Sequence, residues 1–266
     1  MFGRLPSVAV LAAASALGVP VESLAPLAGA SGRTWDAGAN ILRVGDSGVL
    51  DVEMAACAAA ATAVATPEVV DRVDLDTISA VLVRRLPGTP AGRLHDTSVQ
   101  KARAIGEACG RLHTALAAVP SPNSLPPAAA KAAWPGSAPP PEGDQLLHLD
   151  LHPFNVLVDA RTDVSGVLDW ANAAAGHPDL DRARSFSILT LDPAAVERGV
   201  DPRWAALVQG WIEAGNLRML PPDTTAWACR FMLDDLANRY DRQQLAAITA
   251  TLDLIRNREA PPCRPA

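Results

Sequence analysis

No other part of the chain restricts its architecture as much as the stretch from His148 to Asp169. It reads His148-Leu149-Asp150-Leu151-His152-Pro153-Phe154-Asn155, then Val156-Leu157-Val158, and then Gly166-Val167-Leu168-Asp169-Trp170. Leu146 and Leu147 form a short apolar strand ahead of it. Val156 to Val158 reads as a second strand, Asp159 to Ser165 as a turn, and Gly166 to Leu168 as the returning strand. A hairpin of this size brings residue 169 close to residue 155. Oxygen-bearing side chains therefore gather at 150, 155 and 169.

That layout suits a divalent metal held beside a base that handles a hydroxyl. Asp150 sits where a strand gives way to a loop, placed to orient a hydroxyl and accept its proton late. Mg²⁺ prefers one or two hard protein oxygens together with phosphate oxygens, and Asn155 and Asp169 supply that donor type. His148 is grouped with Asp150 as a catalytic residue, expected to brace the loop backbone rather than to react. The spacing His-x-Asp-x-x-x-x-Asn, with a later Asp on a second strand, matches the catalytic loop and metal-binding Asp of kinase-type phosphotransferases. Two other readings stay open. An isolated Asp or Asn after a strand is ordinarily a turn former. If residues 148–152 were a strand, His148, Asp150 and His152 would share a face and could hold a transition metal, as in a metal-dependent hydrolase.

On these residues the chain resembles the aminoglycoside phosphotransferase and choline kinase-like family, over roughly residues 25–240. Leu147 to Asn155 is similar to the family's catalytic loop, and Val167-Leu168-Asp169-Trp170 to its metal-binding strand end. Gly176-His177-Pro178-Asp179-Leu180-Asp181-Arg182-Ala183 resembles its Gly-Asp-Pro-x-x-Asp-Leu-Ala segment, with His177 and Arg182 as departures. The resemblance implies that Asp181 anchors the catalytic loop from beneath; an N-cap of the following helix is the alternative reading. Gly110-Arg111-Leu112-His113 resembles the end of a family helix, whose buried face is independently marked by Ile105, Cys109, Leu112 and Leu116 at helical spacing. His113 is expected in the core or bracing a loop.

The amino-terminal part is similar in outline. Leu27 to Trp35 looks like a nucleotide-covering turn between two strands, with Ser31 and Gly32 approaching phosphate through backbone N–H groups. Ala39 to Val44 is a strand delivering Arg43, and Glu53 is read as opening an Ala-rich helix from Met54 to Ala65. The resemblance pairs Arg43, in place of a kinase Lys, with Glu53. Arginine can form that pair and bind phosphate as a fork. Thr77 to Val83 is a β-branched apolar strand. Arg84-Arg85-Leu86-Pro87-Gly88 resembles the hinge, whose Arg84 carbonyl and Leu86 amide would bond adenine.

The resemblance implies an α+β, bilobal protein-kinase-like fold. Residues 1–87 would form a small antiparallel-sheet lobe that binds nucleotide. Residues 88–266 would form a larger, mainly helical lobe for catalysis and acceptor binding. The implied reaction moves the γ-phosphoryl of ATP or GTP, with Mg²⁺, to a hydroxyl of an aminoglycoside-like antibiotic, a sugar or an amino alcohol. Antibiotic resistance is an association of the family. A non-catalytic, kinase-like nucleotide-binding module is the rival reading. Helices over Pro202–Asn216, Thr225–Arg239 and Arg242–Asn257 would wall the acceptor pocket, with Glu213, Asp234 and Asp235 as candidate ligands for substrate amino groups.

Composition bounds the rest. The 266 residues are 49% hydrophobic and 20% charged, which suits a globular protein with a large core. No uninterrupted apolar run reaches membrane-spanning length. The net charge of −6 comes without a basic stripe, so nucleic acid is not an expected partner. Cysteines 57, 109, 229 and 263 lack zinc or disulfide spacing, and the first three fall in apolar helical patterns as core fillers. A helix capped by Ser7 and stopped at Gly18-Val19-Pro20 is preferred to a leader peptide, and nucleotide chemistry points to the cytoplasm. Between residues 116 and 146, eight prolines preclude regular structure through most of the stretch, with a short helix at 128–133 and Trp134 to pin it.

Overall fold

The structure, a computed structural model, describes residues 5–27, 33–76, 78–136 and 139–259. Helix α1 (Val8–Ala16) starts where the Ser7 hydroxyl accepts the Val10 N–H, and the chain turns away at Gly18, φ 63°. Strands β1 (Ala25–Pro26), β2 (Thr34–Ala37), β3 (Asn40–Gly45), β4 (Val69–Leu75) and β5 (Ile78–Arg84) form an antiparallel sheet in the order β1-β2-β3-β5-β4. Strand β5 is buried on both faces, which accounts for its unbroken apolar run. Ala80 and Leu82 pack with α1, and Val81 and Val83 pack under helix α2 (Ser47–Ala60), as the two-residue period of a strand requires.

Helix α2 corrects one expectation. It begins at Ser47, capped by the Asp46 carboxylate, which accepts N–H groups from Gly48 and Val49. Glu53 therefore lies mid-helix, facing inward, and the helix ends at Ala60 rather than Ala65. The cap was hidden because Asp46-Ser47-Gly48 also reads as a turn. Strand β4, with Asp71, Arg72 and Asp74 breaking its apolar pattern, is an exposed edge strand with no clear sequence signal.

The helical part is built on α3 (Val99–Leu116) and α6 (Pro202–Ala214). Ile105, Cys109, Leu112 and Leu116 of α3 are all buried. The two helices touch backbone to backbone: a Cβ on Gly106 would lie 1.9 Å from the Leu207 carbonyl oxygen, and one on Gly210 would lie 2.4 Å from that of Arg103. Strands β6 (Thr89–Pro90), β8 (Val156–Val158) and β9 (Val164–Val167) make a second sheet, and β7 (Gln145–Leu147) pairs with β10 (Ala174–Gly176). Helices α4 (Pro178–Leu191), α5 (Pro193–Arg198), α7 (Pro222–Leu236) and α8 (Ala246–Glu259) complete it. The short helix at 128–133 is a single 3₁₀ turn, Ala128–Ala130. Trp134 packs beside it against the cluster of Leu147, Leu149 and Trp227. Cys57, Cys109 and Cys229 are buried thiols, and Cys263 lies outside the described residues. No helix among the described residues is long and apolar enough to cross a membrane.

Candidate active site

Three side chains of α4, at 181, 184 and 185, fall on one face by helical spacing, and that face holds the loop after β7. The Asp181 carboxylate accepts the backbone N–H groups of His148 (3.0 Å) and Leu149 (2.6 Å). Arg184 Nε donates to the Leu149 carbonyl at 3.2 Å, and Ser185 Oγ to that of Leu151 at 2.9 Å. Leu149 adopts φ 58°, a left-handed turn that lets two successive N–H groups converge on one carboxylate. Burial would raise the Asp181 pKa, but His113 and the donated N–H groups outweigh it and hold the carboxyl below its ordinary value. His113 Nδ1 lies 3.3 Å from Asp181, and its Nε2 accepts from the Trp211 indole at 3.3 Å. Asp181 thus sits beneath the loop. The N-cap alternative fails, because His177 caps α4 by accepting the Asp179 N–H.

His148 is wholly buried against Trp170. Its Nδ1 accepts the Asp150 N–H at 3.2 Å, so Nε2 carries the proton and donates to the Leu168 carbonyl at 2.9 Å. Both ring nitrogens are committed to backbone. His148 positions Asp150 and does not reach the cleft, which corrects its grouping as a catalytic residue. It also removes a ligand from the proposed His148–Asp150–His152 metal site. Residues 148–152 are not a strand, and no set of three His, Cys, Asp or Glu among the described residues could hold a metal.

The β8–β9 hairpin does the remaining positioning. Val156 pairs with Val167, and the Leu168 N–H donates to the Asn155 carbonyl at 2.8 Å, so Asp169 emerges beside Asn155. Asp169 has φ 61°, a left-handed backbone uncommon for a side-chain-bearing residue, and its side chain is 47% exposed. Asn155 donates its amide N–H to the Asp150 carbonyl (2.9 Å) and carboxylate (3.2 Å). Its amide oxygen is thereby left as the acceptor atom. Asn155 Oδ1 and the Asp169 carboxylate are hard oxygen donors of the kind Mg²⁺ takes alongside phosphate oxygens, so the residues present fit that ion. Burial pushes the Asp150 carboxyl up to about 6, against the pull of Arg184. Its side chain keeps 25% of its surface open.

Arg43 links the sheet to this hairpin. Its guanidinium bonds Glu53 of α2 at 2.6 Å and Asp169 at 3.3 Å. Burial, opposed by Arg43, pushes the Glu53 carboxyl up to about 7, and its Oε2 has no hydrogen-bond partner among the described residues. Ser31 and Gly32 lie outside the described residues. The Arg84 side chain points to the surface and pairs with Glu68, and Leu86 packs over Gly166 on the returning hairpin strand.

A cleft of about 430 Å³ opens over Asp150, Asn155 and Asp169, walled by α4, α5, α6 and α7. Of the three acceptor-side acids, it is lined by Asp235 and not by Asp234 or Glu213. Asp234 is exposed on α7 outside the cleft. Glu213 is bound on the α6 surface by Arg103 and Gln209. Sequence reasoning missed Arg184, which is 1% exposed yet lines the cleft. Its position one helical turn after Asp181 was the available signal.

Residues 127–227, which contain the catalytic loop, the hairpin and α4, match the phosphotransferase enzyme family. The solved structure of an aminoglycoside-3'-phosphotransferase of type VIII aligns with TM-score 0.56 at 16% identity, over 94% of this chain and 100% of the other. The fold is that of the aminoglycoside phosphotransferases. Aminoglycoside phosphotransferase APH(3'')-Id from Streptomyces rimosus ATCC10970 aligns with TM-score 0.57 at 18% identity, over 89% and 95% of the two chains. A thermostable mutant of APH(4)-Ia aligns with TM-score 0.52 at 17% identity, over 90% and 94%. No curated protein matches the sequence. This is a kinase-like fold with an antiparallel-sheet part and a helical part.

Proposed function

We propose that the chain transfers the γ-phosphoryl group of ATP or GTP to a hydroxyl of a small molecule. The observation that carries the reading is the convergence of Asp150, Asn155 and Asp169 on one cleft floor. Asp150 receives the acceptor hydroxyl, aligns it and takes its proton as the bond to phosphorus forms. Its raised pKa suits that task. Asn155 Oδ1 and Asp169 would hold Mg²⁺, which when bound supplies charge neutralisation on the phosphates. Arg43, already beside Asp169, steadies phosphate oxygens, and Glu53 keeps Arg43 in place. Residues 1–87 serve the nucleotide and 88–266 the catalysis and the acceptor, and a nucleotide-rich cytoplasm suits the reaction.

The related structures give the reading chemical context. The Streptomyces rimosus enzyme is known in complex with ADP and streptomycin, and the APH(4)-Ia mutant in a ternary complex with ADP and hygromycin B. The test is Mg²⁺-dependent nucleotide consumption over a panel of hydroxylated acceptors, with Asp150→Ala beside the native protein. Replacing Asp150 should abolish turnover and leave nucleotide binding nearly intact. Unchanged turnover ends the assignment.

A further inference from the structure

The wall of the cleft beyond Asp150 is poorly furnished for a polycation. Apart from the reaction-side carboxylates, its acids are Asp192 and Asp235. Asp192 caps α5, its Oδ1 accepting N–H groups from Ala194 (2.8 Å) and Ala195 (3.3 Å). Asp235 is neutralised by Arg184 Nη2 at 2.7 Å. Three arginines stand against these two acids: Arg184, Arg198 and Arg239.

Two of the arginines, Arg198 and Arg239, are open to a ligand. Arg184 is held rigidly, by Leu149 and Asp235 and with its guanidinium 4.4 Å from the Phe231 ring centre. Its Nη1 is nevertheless buried with no hydrogen-bond partner among the described residues. Arg198 lies over Phe154 and Trp204, 4.9 and 5.6 Å from their ring centres. Neither Arg198 nor Arg239 has an ion-pair partner among the described residues. The remaining lining is apolar or aromatic: Phe154, Trp204, Met232 and Tyr240.

We infer that the acceptor is a hydroxylated carboxylic acid with an apolar or aromatic body, its carboxylate met by Arg198 and Arg239 while its hydroxyl faces Asp150. Guanidinium groups match a carboxylate's two oxygens as a fork. The inference rests on the kinase reading of the same cleft. It separates this cleft from one that would hold amino groups, since Asp235 is already paired with Arg184 and Asp192 is engaged in capping α5.

Calorimetric titration of three para-substituted probes tests it: hydroxymethyl-benzoate, its primary amide and hydroxymethyl-benzylamine. They share ring and hydroxyl and differ in the charge at the far end. The benzoate should bind at least about tenfold tighter than the amide or the amine, a gap of about 1.4 kcal/mol. The double variant R198Q/R239Q, checked for folding by circular dichroism and melting, should lose that preference. Equal or absent binding of the benzoate, tighter binding of the amine or of streptomycin, or a preference that survives the double variant overturns the inference. Binding of Mg-ADP by the native protein is measured in parallel. Its failure would strike the kinase reading instead, so the two outcomes are distinguishable.

Discussion

At the scale of single residues, Asp150 joins activity to a cost in stability. Its carboxyl is pushed up to about 6 by burial, so the fold favours the protonated form. The stability tied to that preference is present in acid and is lost as pH rises through about 6. The reaction needs the ionised form, so turnover should rise over the same interval and flatten above it. Asp150→Asn keeps an oxygen for the Asn155 amide and removes the charge. It should lower kcat by roughly 10²- to 10⁴-fold, the usual range for a positioned base. It should also raise Tm at pH 8, with the gain fading below pH 6. A variant less stable than the native protein at pH 8 would contradict the assigned cause of the shift. Much of this was legible in the sequence, because a strand end, a five-residue loop and a hairpin are local features. So was the bracing role of His148, but not its two partners, which depend on Leu149 turning left-handed and on Leu168 returning from the hairpin.

At the scale of elements, α4 and the α3–α6 pair carry the clearest consequences. Asp181 is an acceptor for two buried N–H groups. Asp181→Ala strands both, at about 1–3 kcal/mol each, and should appear as a lower urea midpoint together with reduced kcat. An unchanged midpoint would mean that α4 does not hold the loop. The glycines of the α3–α6 contact make a prediction opposite in sign to helix propensity. Alanine within a helix ordinarily stabilises by roughly 0.5–1 kcal/mol over glycine. At Gly106, however, its Cβ would collide with the backbone of Leu207. Gly106→Ala should therefore destabilise by about 1–3 kcal/mol or more in denaturant unfolding, as overpacking does. A stabilised variant would show that the helices do not approach so closely. The periodicity of α3 was readable, but its glycines gave no hint of their partner, because α6 lies about a hundred residues further along the chain.

At the scale of the whole molecule, Arg43 spans the two parts, bonding Glu53 on the sheet side and Asp169 on the hairpin side. Helix α2 adds to the tie, since Ala56, Cys57 and Ala60 belong to the same apolar cluster as Trp170 of the helical part. Arg43→Met keeps most of the side chain's apolar length and removes its charge. It should raise KM for the nucleotide co-substrate at least about tenfold, the scale of one lost charged hydrogen bond. Tm should also fall, because the variant leaves the buried Glu53 carboxyl without its cation. A normal KM for nucleotide in that variant would remove Arg43 from phosphate binding.

By itself the sequence determined the loop and hairpin around Asp150, Asn155 and Asp169, the apolar run of β5 and the buried face of α3. Each depends on residues within a few positions of one another, where spacing and period are enough. Only the tertiary structure decided that Glu53 lies mid-helix behind Arg43, that Glu213 and Asp234 stand away from the cleft, and that Arg184 enters it. Those facts follow from which faces of distant elements meet. Burial and pairing are properties of that meeting, and the spacing of residues along one strand or helix does not contain them.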